Sequence, residues 1–153
     1  MADIAVGNSV VLVDDEDLGM VINWRWRIAS KPGQKAQYVA SSDGTQIHRL
    51  IMGLGKGDER QVDHINGDGL DNRRCNLRVA TRGENQANRG RNKNNQCGIK
   101  GVYWNESRKR WQVTIGCEGK SIFVGRYKTI EEAKEAQELA AQILHGKFAR
   151  ASW

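Results

Sequence analysis

The stretch VDHINGDGLDNRRCNLRVATRGENQAN, residues 62–88, sets an Asp-His pair ahead of two asparagines at fixed distances. Asp63 offers a hard anionic oxygen to a divalent cation, and His64 a base that titrates near neutrality. Asn76 and Asn85 offer neutral amide oxygens that orient a loop or ligate a metal. Together these are the parts needed to hydrolyse a phosphodiester. Around them the pattern predicts two strands, over 61–65 and 76–81, joined by a long polar loop rich in Gly, Asp, Asn and Arg. Thr81 and Glu84 have capping-box spacing, which places a helix start one residue before Arg82 and puts Asn85 in its first turns. Strand, loop, strand and helix then bring His64, Asn76 and Asn85 toward one point. Asn72, after Asp71 in the loop, is expected to satisfy turn hydrogen bonds.

Upstream, residues 8–13 (NSVVLV) read as a buried strand and 21–29 (VINWRWRIA) alternate in the period-2 manner of a half-buried one. Pro32 and Gly33 mark a turn, and 37–40 and 45–48 give two further short strands around a turn at Ser42 to Gly44. The first 47 residues are therefore predicted to be a small twisted sheet. Residues 48–54 (HRLIMGL) form one or two helical turns before Gly55 and Gly57. His48 there either supports the site, contacts phosphate or is structural.

Downstream, 89–98 (RGRNKNNQCG) lack hydrophobic periodicity and read as a basic linker, placed at 91–98 between modules. Three strands follow, over 102–104, 111–117 and 121–126, as an antiparallel meander. Trp111, Val113, Ile115 and Cys117 lie on one face, Gln112, Thr114 and Gly116 on the other, and Glu118-Gly119 makes the hairpin turn. A helix over 130–145 opens with a second capping box, Thr129 to Glu132, carries Ala133, Ala136, Ala140 and Ile143 on one stripe, and stops at Gly146. His145 is then a helix C-terminal residue with a structural role.

Charge is unevenly spread along the 153 residues. Overall there are 24 Lys and Arg against 18 Asp and Glu, yet the first 20 residues carry five acids and no Lys or Arg. Residues 72–100 carry eight cations against Glu84 alone, a local net of +7. A polyanionic partner gripped by the centre of the chain follows, through Arg73, Arg74, Arg78, Arg89, Arg91, Lys93 and Lys100, while the acidic end is expected to face away from phosphate. Cys75, Cys97 and Cys117 are odd in number and never spaced as CxxC, which excludes a disulfide framework and a thiolate zinc site. With no apolar run of transmembrane length and no basic flank of a signal peptide, a soluble intracellular protein with no membrane partner is expected.

The central segment, roughly 46–90, resembles the HNH nucleases, specifically the phage- and intron-associated homing endonucleases whose final His is replaced by Asn. The pattern is Asp63-His64, eleven residues, Asn76, eight residues, Asn85, flanked by HRLIMG and NLRVATRGEN. The resemblance implies a ββα-metal module over 48–90 in which His64 is the general base and Asn76 organises the loop. One Mg²⁺ or Mn²⁺ is held by Asp63 and Asn85, oxygen donors that favour those ions over Zn²⁺. Residues 99–153 resemble the plant ethylene-response-factor (Apetala) type of DNA-binding domain through GVYWN, RKRWQV, FVGRYKTIEEA and the alanine-rich helix. That implies a sheet that enters the major groove. Large aromatics such as Trp104, Trp111, Phe123 and Tyr127 are expected to pack the core, leaving Tyr103, Arg108, Arg110, Gln112, Thr114, Lys120 and Arg126 for DNA.

The expectation is thus an α+β chain: an N-terminal β-rich segment, a ββα-metal module, a basic linker, and a three-stranded sheet plus helix. It acts on double-stranded DNA as a monomer or homodimer, encoded by a phage or prophage, with no small-molecule cofactor. The competing reading is a sequence-specific DNA-binding protein or transcriptional regulator with a vestigial nuclease motif.

Overall fold

A computed structural model describes residues 1–30, 37–88 and 95–149. The chain forms two units, Met1–Arg82 and Gly83–Trp153. Among the described residues all regular sheets are antiparallel and small, and no helix is long and apolar enough to cross a membrane. The expected turn at Pro32 and Gly33 lies outside the described residues.

The first unit opens with a hairpin, β1 (Ala2–Val6) and β2 (Ser9–Val13), reversed at Gly7, whose φ of 60° is open to glycine at no steric cost. Helix α1 (Asp15–Val21) follows, then a second ribbon of β3 (Trp26–Ser30) and β4 (Gln37–Ser41). The single sheet expected here is instead two separate two-stranded ribbons with a helix between them. Val21, read as the start of a strand, ends α1, because Asp15, Glu16 and Asp17 crowd the first turn where the helix dipole favours anions. The indole of Trp26 then donates to the Val21 carbonyl at 2.8 Å, which ties β3 to the helix end. Residues 45–48 likewise give only an isolated bridge, Ala40 to Gln46, before α2 (Ile47–Ile51).

A third ribbon, β5 (Gln61–His64) with β6 (Leu77–Ala80), pairs Asp63 with Arg78 and His64 with Leu77. One apolar cluster holds the unit together. Val11, Val13, Val21, Val39 and Ile47 are fully buried and pack with Ile51, Leu54, Val62 and Leu77. This core crosses the position, 47/48, at which the sequence suggested that a separate N-terminal segment ends.

In the second unit, which α3 (Arg82–Ala87) leads into, β7 (Val102–Asn105), β8 (Arg110–Cys117) and β9 (Lys120–Tyr127) form a meander in that order. Glu118 and Gly119 both take positive φ, 50° and 76°, the requirement of a type I′ hairpin turn. Helix α4 (Ile130–His145) packs on one face of the sheet, and its capping box at Thr129 and Glu132 is complete. The fully buried Val113 and Ala133 join Val102 in a small core with Cys97, Ile99, Trp111, Val124 and Tyr127. Two expectations change here. Ile143 is 74% exposed, since the buried positions of α4 step by four through Ala133, Gln137 and Ala141. Residues 95–98 belong to the fold of this unit: Asn95 Nδ2 donates to the carbonyls of Ile99 and Val102, and Asn95 Oδ1 accepts from Gly98 N–H.

Candidate active site

Residues 65–76, between β5 and β6, are held by their own short polar side chains. Asn66 Oδ1 accepts from Asp68 N–H, Asp68 Oδ1 from Leu70 N–H, and Asp71 grips Arg73 through two contacts of 2.7 Å. Asn76 closes the loop. Its Oδ1 accepts from Asn66 N–H at 3.0 Å, and its Nδ2 donates to Asn66 Oδ1 at 3.0 Å and to the Asp71 carbonyl at 2.8 Å. With 7% exposure it exchanges few of these bonds for water, so removing its amide would strand several loop groups at once.

His64, at the end of β5, is 5% exposed and enters a group of three rings. Its centroid lies 4.9 Å from that of His48 on α2, edge-on at 84°, and 6.1 Å from that of Tyr38 on β4. Tyr38 and His48 stand 6.0 Å apart. His64 Nε2 meets Asn72 Oδ1 at 3.2 Å. Burial pushes the His64 pKa down, opposed by the Asn72 bond and by the nearby Asp63, Asp68 and Asp71. A neutral imidazole at neutral pH is what a general base requires.

His48 is buried more severely. Desolvation first, then the charges of His64 and Arg49, lower its pKa to about 3. Its Nε2 lies 3.1 Å from Gln46 Oε1, while Nδ1 is buried with no hydrogen-bond partner among the described residues. It is therefore an uncharged ring packed edge-on against His64.

Asp63 is 4% exposed, and its Oδ2 receives both Nε (2.8 Å) and an Nη (2.6 Å) of Arg78, its cross-strand partner. A buried carboxylate beside an imidazole offers a hard oxygen of the kind that divalent cations take. Asn85 sits on α3, in the second unit.

The basic stretch is partly spent on carboxylates. Arg73 holds Asp71, Arg78 holds Asp63, and Arg74 binds Asp17 through contacts of 2.9 and 2.6 Å, with Glu16 at 3.4 Å and Asp14 accepting from the Arg74 N–H. The carboxylates of Asp14, Glu16 and Asp17 thus converge on Arg74, so the acidic end expected to stand apart meets part of the basic centre. Arg78, with a side chain only 13% exposed, is built into the ribbon through its ion pair with Asp63. The ammonium of Lys100 donates to the carbonyls of Gln86 (3.3 Å) and Ala87 (2.6 Å) at the end of α3, a favourable place for a cation. Arg89, Arg91 and Lys93 lie outside the described residues.

In the second unit three of the expected contact residues form one row across the sheet. Tyr103 pairs with Gln112 and Gln112 with Arg126; Gln112 Nε2 donates to the Tyr103 hydroxyl at 2.5 Å, and Arg126 Nε to Gln112 Oε1 at 3.0 Å. The Arg126 guanidinium also lies 4.7 Å from the centroid of Phe123, itself 51% exposed. Phe123 and Trp104, at 42%, are thus not the core residues expected of them. Arg108 and Lys120 are exposed; Arg110 and Thr114 are half-buried, and Arg110 reaches the Lys109 carbonyl.

Tyr38, Gln46 and Asn72 were not read from sequence as parts of the site. Tyr38 stands 26 residues before His64 on another ribbon, so no local spacing marks it.

Comparison with known proteins points to one family. The family model described as HNH endonuclease matches residues 45–87. Protein 3.8 of Escherichia phage T7 is 36% identical over 89 residues, 58% of this chain and 73% of that one. A protein of Acanthamoeba polyphaga mimivirus, described as an uncharacterised HNH endonuclease, is 31% identical over 134 residues, 82% of this chain and 69% of that one. No solved structure matches. With the motif on β5, its loop and β6, and relatives covered over more than two thirds of their length, the chain belongs to the HNH endonuclease family.

Proposed function

We propose that the protein is a metal-dependent DNA endonuclease of the homing type that hydrolyses phosphodiester bonds at a specific site. The observation that carries this reading is the buried, neutral His64 held by Asn72 beside Asp63, inside the segment that matches the family. His64 takes the proton of the attacking water. Asn76 keeps the loop, and with it the end of β5, in one conformation, so the base is positioned before substrate arrives. From the spacing of the motif, Asp63 and Asn85 are the residues that would hold the divalent ion. Bound there, Mg²⁺ or Mn²⁺ would supply Lewis-acid stabilisation of phosphoryl charge.

The sheet of the second unit serves as the duplex-binding face, in the manner of an ethylene-response-factor domain. The row of Tyr103, Gln112 and Arg126 joins a guanidinium that can meet a guanine edge to an amide and a phenol that fix its direction. Arg108, Arg110, Thr114 and Lys120 flank it, the cations suited to phosphate. A second reading, a DNA-binding protein with a vestigial nuclease motif, is favoured by one observation: Arg78 already occupies the carboxylate of Asp63.

The test is conversion of supercoiled plasmids carrying a library of target sequences by wild-type and His64→Ala protein, in Mg²⁺, Mn²⁺ or EDTA. Metal-dependent nicked or linear product from the wild type alone is expected. Equal cleavage by the variant would remove His64 from the mechanism, and site-selective DNA retention without cleavage would favour the second reading.

A further inference from the structure

We infer that Asn72 is a positioning residue that holds His64 as its Nε2–H tautomer, leaving Nδ1 as the proton-accepting atom, and that the N-terminal hairpin exists in part to hold Asn72. The inference rests on the proposal that His64 is the base and concerns how that base is set.

An amide side chain has one accepting end and one donating end, and its surroundings decide which way it points. Asn72 is fully buried, at 0% exposure, so water does not serve either end. Its Nδ2 donates to the carbonyl of Gly69 at 3.3 Å, which directs Oδ1 to His64 Nε2 at 3.2 Å. The reversed amide would set its oxygen against the Gly69 carbonyl, two acceptors facing each other with no proton between them. A carbonyl oxygen only accepts, so Nε2 carries the hydrogen. A neutral imidazole has a single N–H, and Nδ1 is therefore the basic atom.

The backbone of Asn72 is fixed as firmly as its amide. Its N–H donates to the Leu12 carbonyl at 2.8 Å, and Leu12 N–H donates to the Leu70 carbonyl at 2.9 Å, so that Leu12 on β2 pairs in parallel with Asp71. From the other side, a Cβ placed on Gly69 would lie 2.0 Å from the Gln37 carbonyl oxygen and 2.9 Å from the Tyr38 ring. The segment that carries Asn72 and its Gly69 acceptor is thus clamped between β2 and β4. Neither ribbon holds a residue of the Asp-His-Asn-Asn motif, yet both determine where Asn72 Oδ1 lies. A neutral amide also orients the ring without adding a second anion beside Asp63.

The experiment reads the tautomer directly. Long-range ¹H–¹⁵N correlations of the imidazoles in ¹⁵N-labelled, metal-free protein, at a pH of about 8.5, place the hydrogen on Nε2 or Nδ1, and the His64→Ala spectrum assigns the signals. Wild-type His64 is expected as Nε2–H. Asn72→Ala is expected to give a mixture and to slow single-turnover cleavage by about 10–100-fold with unchanged DNA affinity. Asn72→Asp keeps an acceptor toward Nε2 but sets its second oxygen against the Gly69 carbonyl, so it is expected to retain the Nε2–H form and to recover only part of the rate. An Nδ1–H form or an even mixture in the wild type overturns the inference without use of any variant. The wild-type tautomer and rate in Asn72→Ala overturn it as well. Failure of the underlying nuclease reading shows elsewhere, as undiminished cleavage by His64→Ala whatever the tautomer.

Discussion

Acidification should unfold the first unit through His48, and replacing this residue by Phe should remove most of that sensitivity. His48 is 4% exposed, and burial lowers its pKa from 6.5 to about 3. The unfolded chain therefore binds a proton that the folded chain refuses, and stability rises with pH across this window. The contribution is fully present above pH 6.5 and is lost as pH falls from there toward about 3. Each unit of pH within the window is worth about 1.4 kcal/mol, so a drop from about pH 7.5 to 5 costs the first unit about 2 kcal/mol through this side chain alone. That is a large part of the stability of a small domain. Phe keeps an aromatic ring against His64 and Tyr38, takes no proton, and removes the unpartnered Nδ1. Urea unfolding at the two pH values, followed by imidazole C–H resonances, separates the units, because His48 and His64 lie in the first and His145 in the second. The wild type should lose about 2 kcal/mol more on acidification than His48→Phe. His64 is shifted in the same direction in both proteins and leaves a residual slope. Equal pH dependence in the two, or a folded His48 resonance that titrates near its ordinary pKa, would refute the reasoning.

Arg78→Met should destabilise the first unit by about 3–5 kcal/mol in EDTA, since it takes the guanidinium away from a carboxylate whose side chain is only 5% exposed. A loss below about 1 kcal/mol by urea unfolding would show that the pair carries no such weight. Ala substitution of Arg108, Arg110 or Lys120 should reduce the slope of log affinity against log salt on double-stranded DNA by about 0.9 each, measured by fluorescence anisotropy. An unchanged slope in all three would remove the β7–β9 sheet from the binding face.

Elements governed by near neighbours were readable from sequence. The capping box at Thr129 and Glu132 and the bounds of α4 follow from contacts within one turn of helix. The Glu118-Gly119 hairpin and the inward face of Val113 and Ile115 follow from turn chemistry and the period of a strand. Where two local signals competed, the reading failed. The alternation from Val21 onward read as a strand, whereas three acids in the first turn and the packing of Leu18 and Val21 on the valine core made Asp15–Val21 a helix. Residues 45–48 read as a strand beside the turn at Ser42 to Gly44, but burial of Ile47, His48 and Ile51 on one side goes with a helix.

By itself the sequence determined the motif of Asp63, His64, Asn76 and Asn85, its frame of two strands and a loop, and the sheet-and-helix design of the second unit, because these depend on residue type and on separations of a few positions. Only the tertiary structure decided which charge meets which and what stands around the base. Arg74 reaches Asp17 across 57 positions, Arg78 closes on Asp63, and His48, Tyr38 and Asn72 surround His64 from three different parts of the chain. Composition counts charges without pairing them. Pairing is set by where the ribbons bury their valines, and the shared core places β2 and β4 against a loop that neither adjoins in sequence.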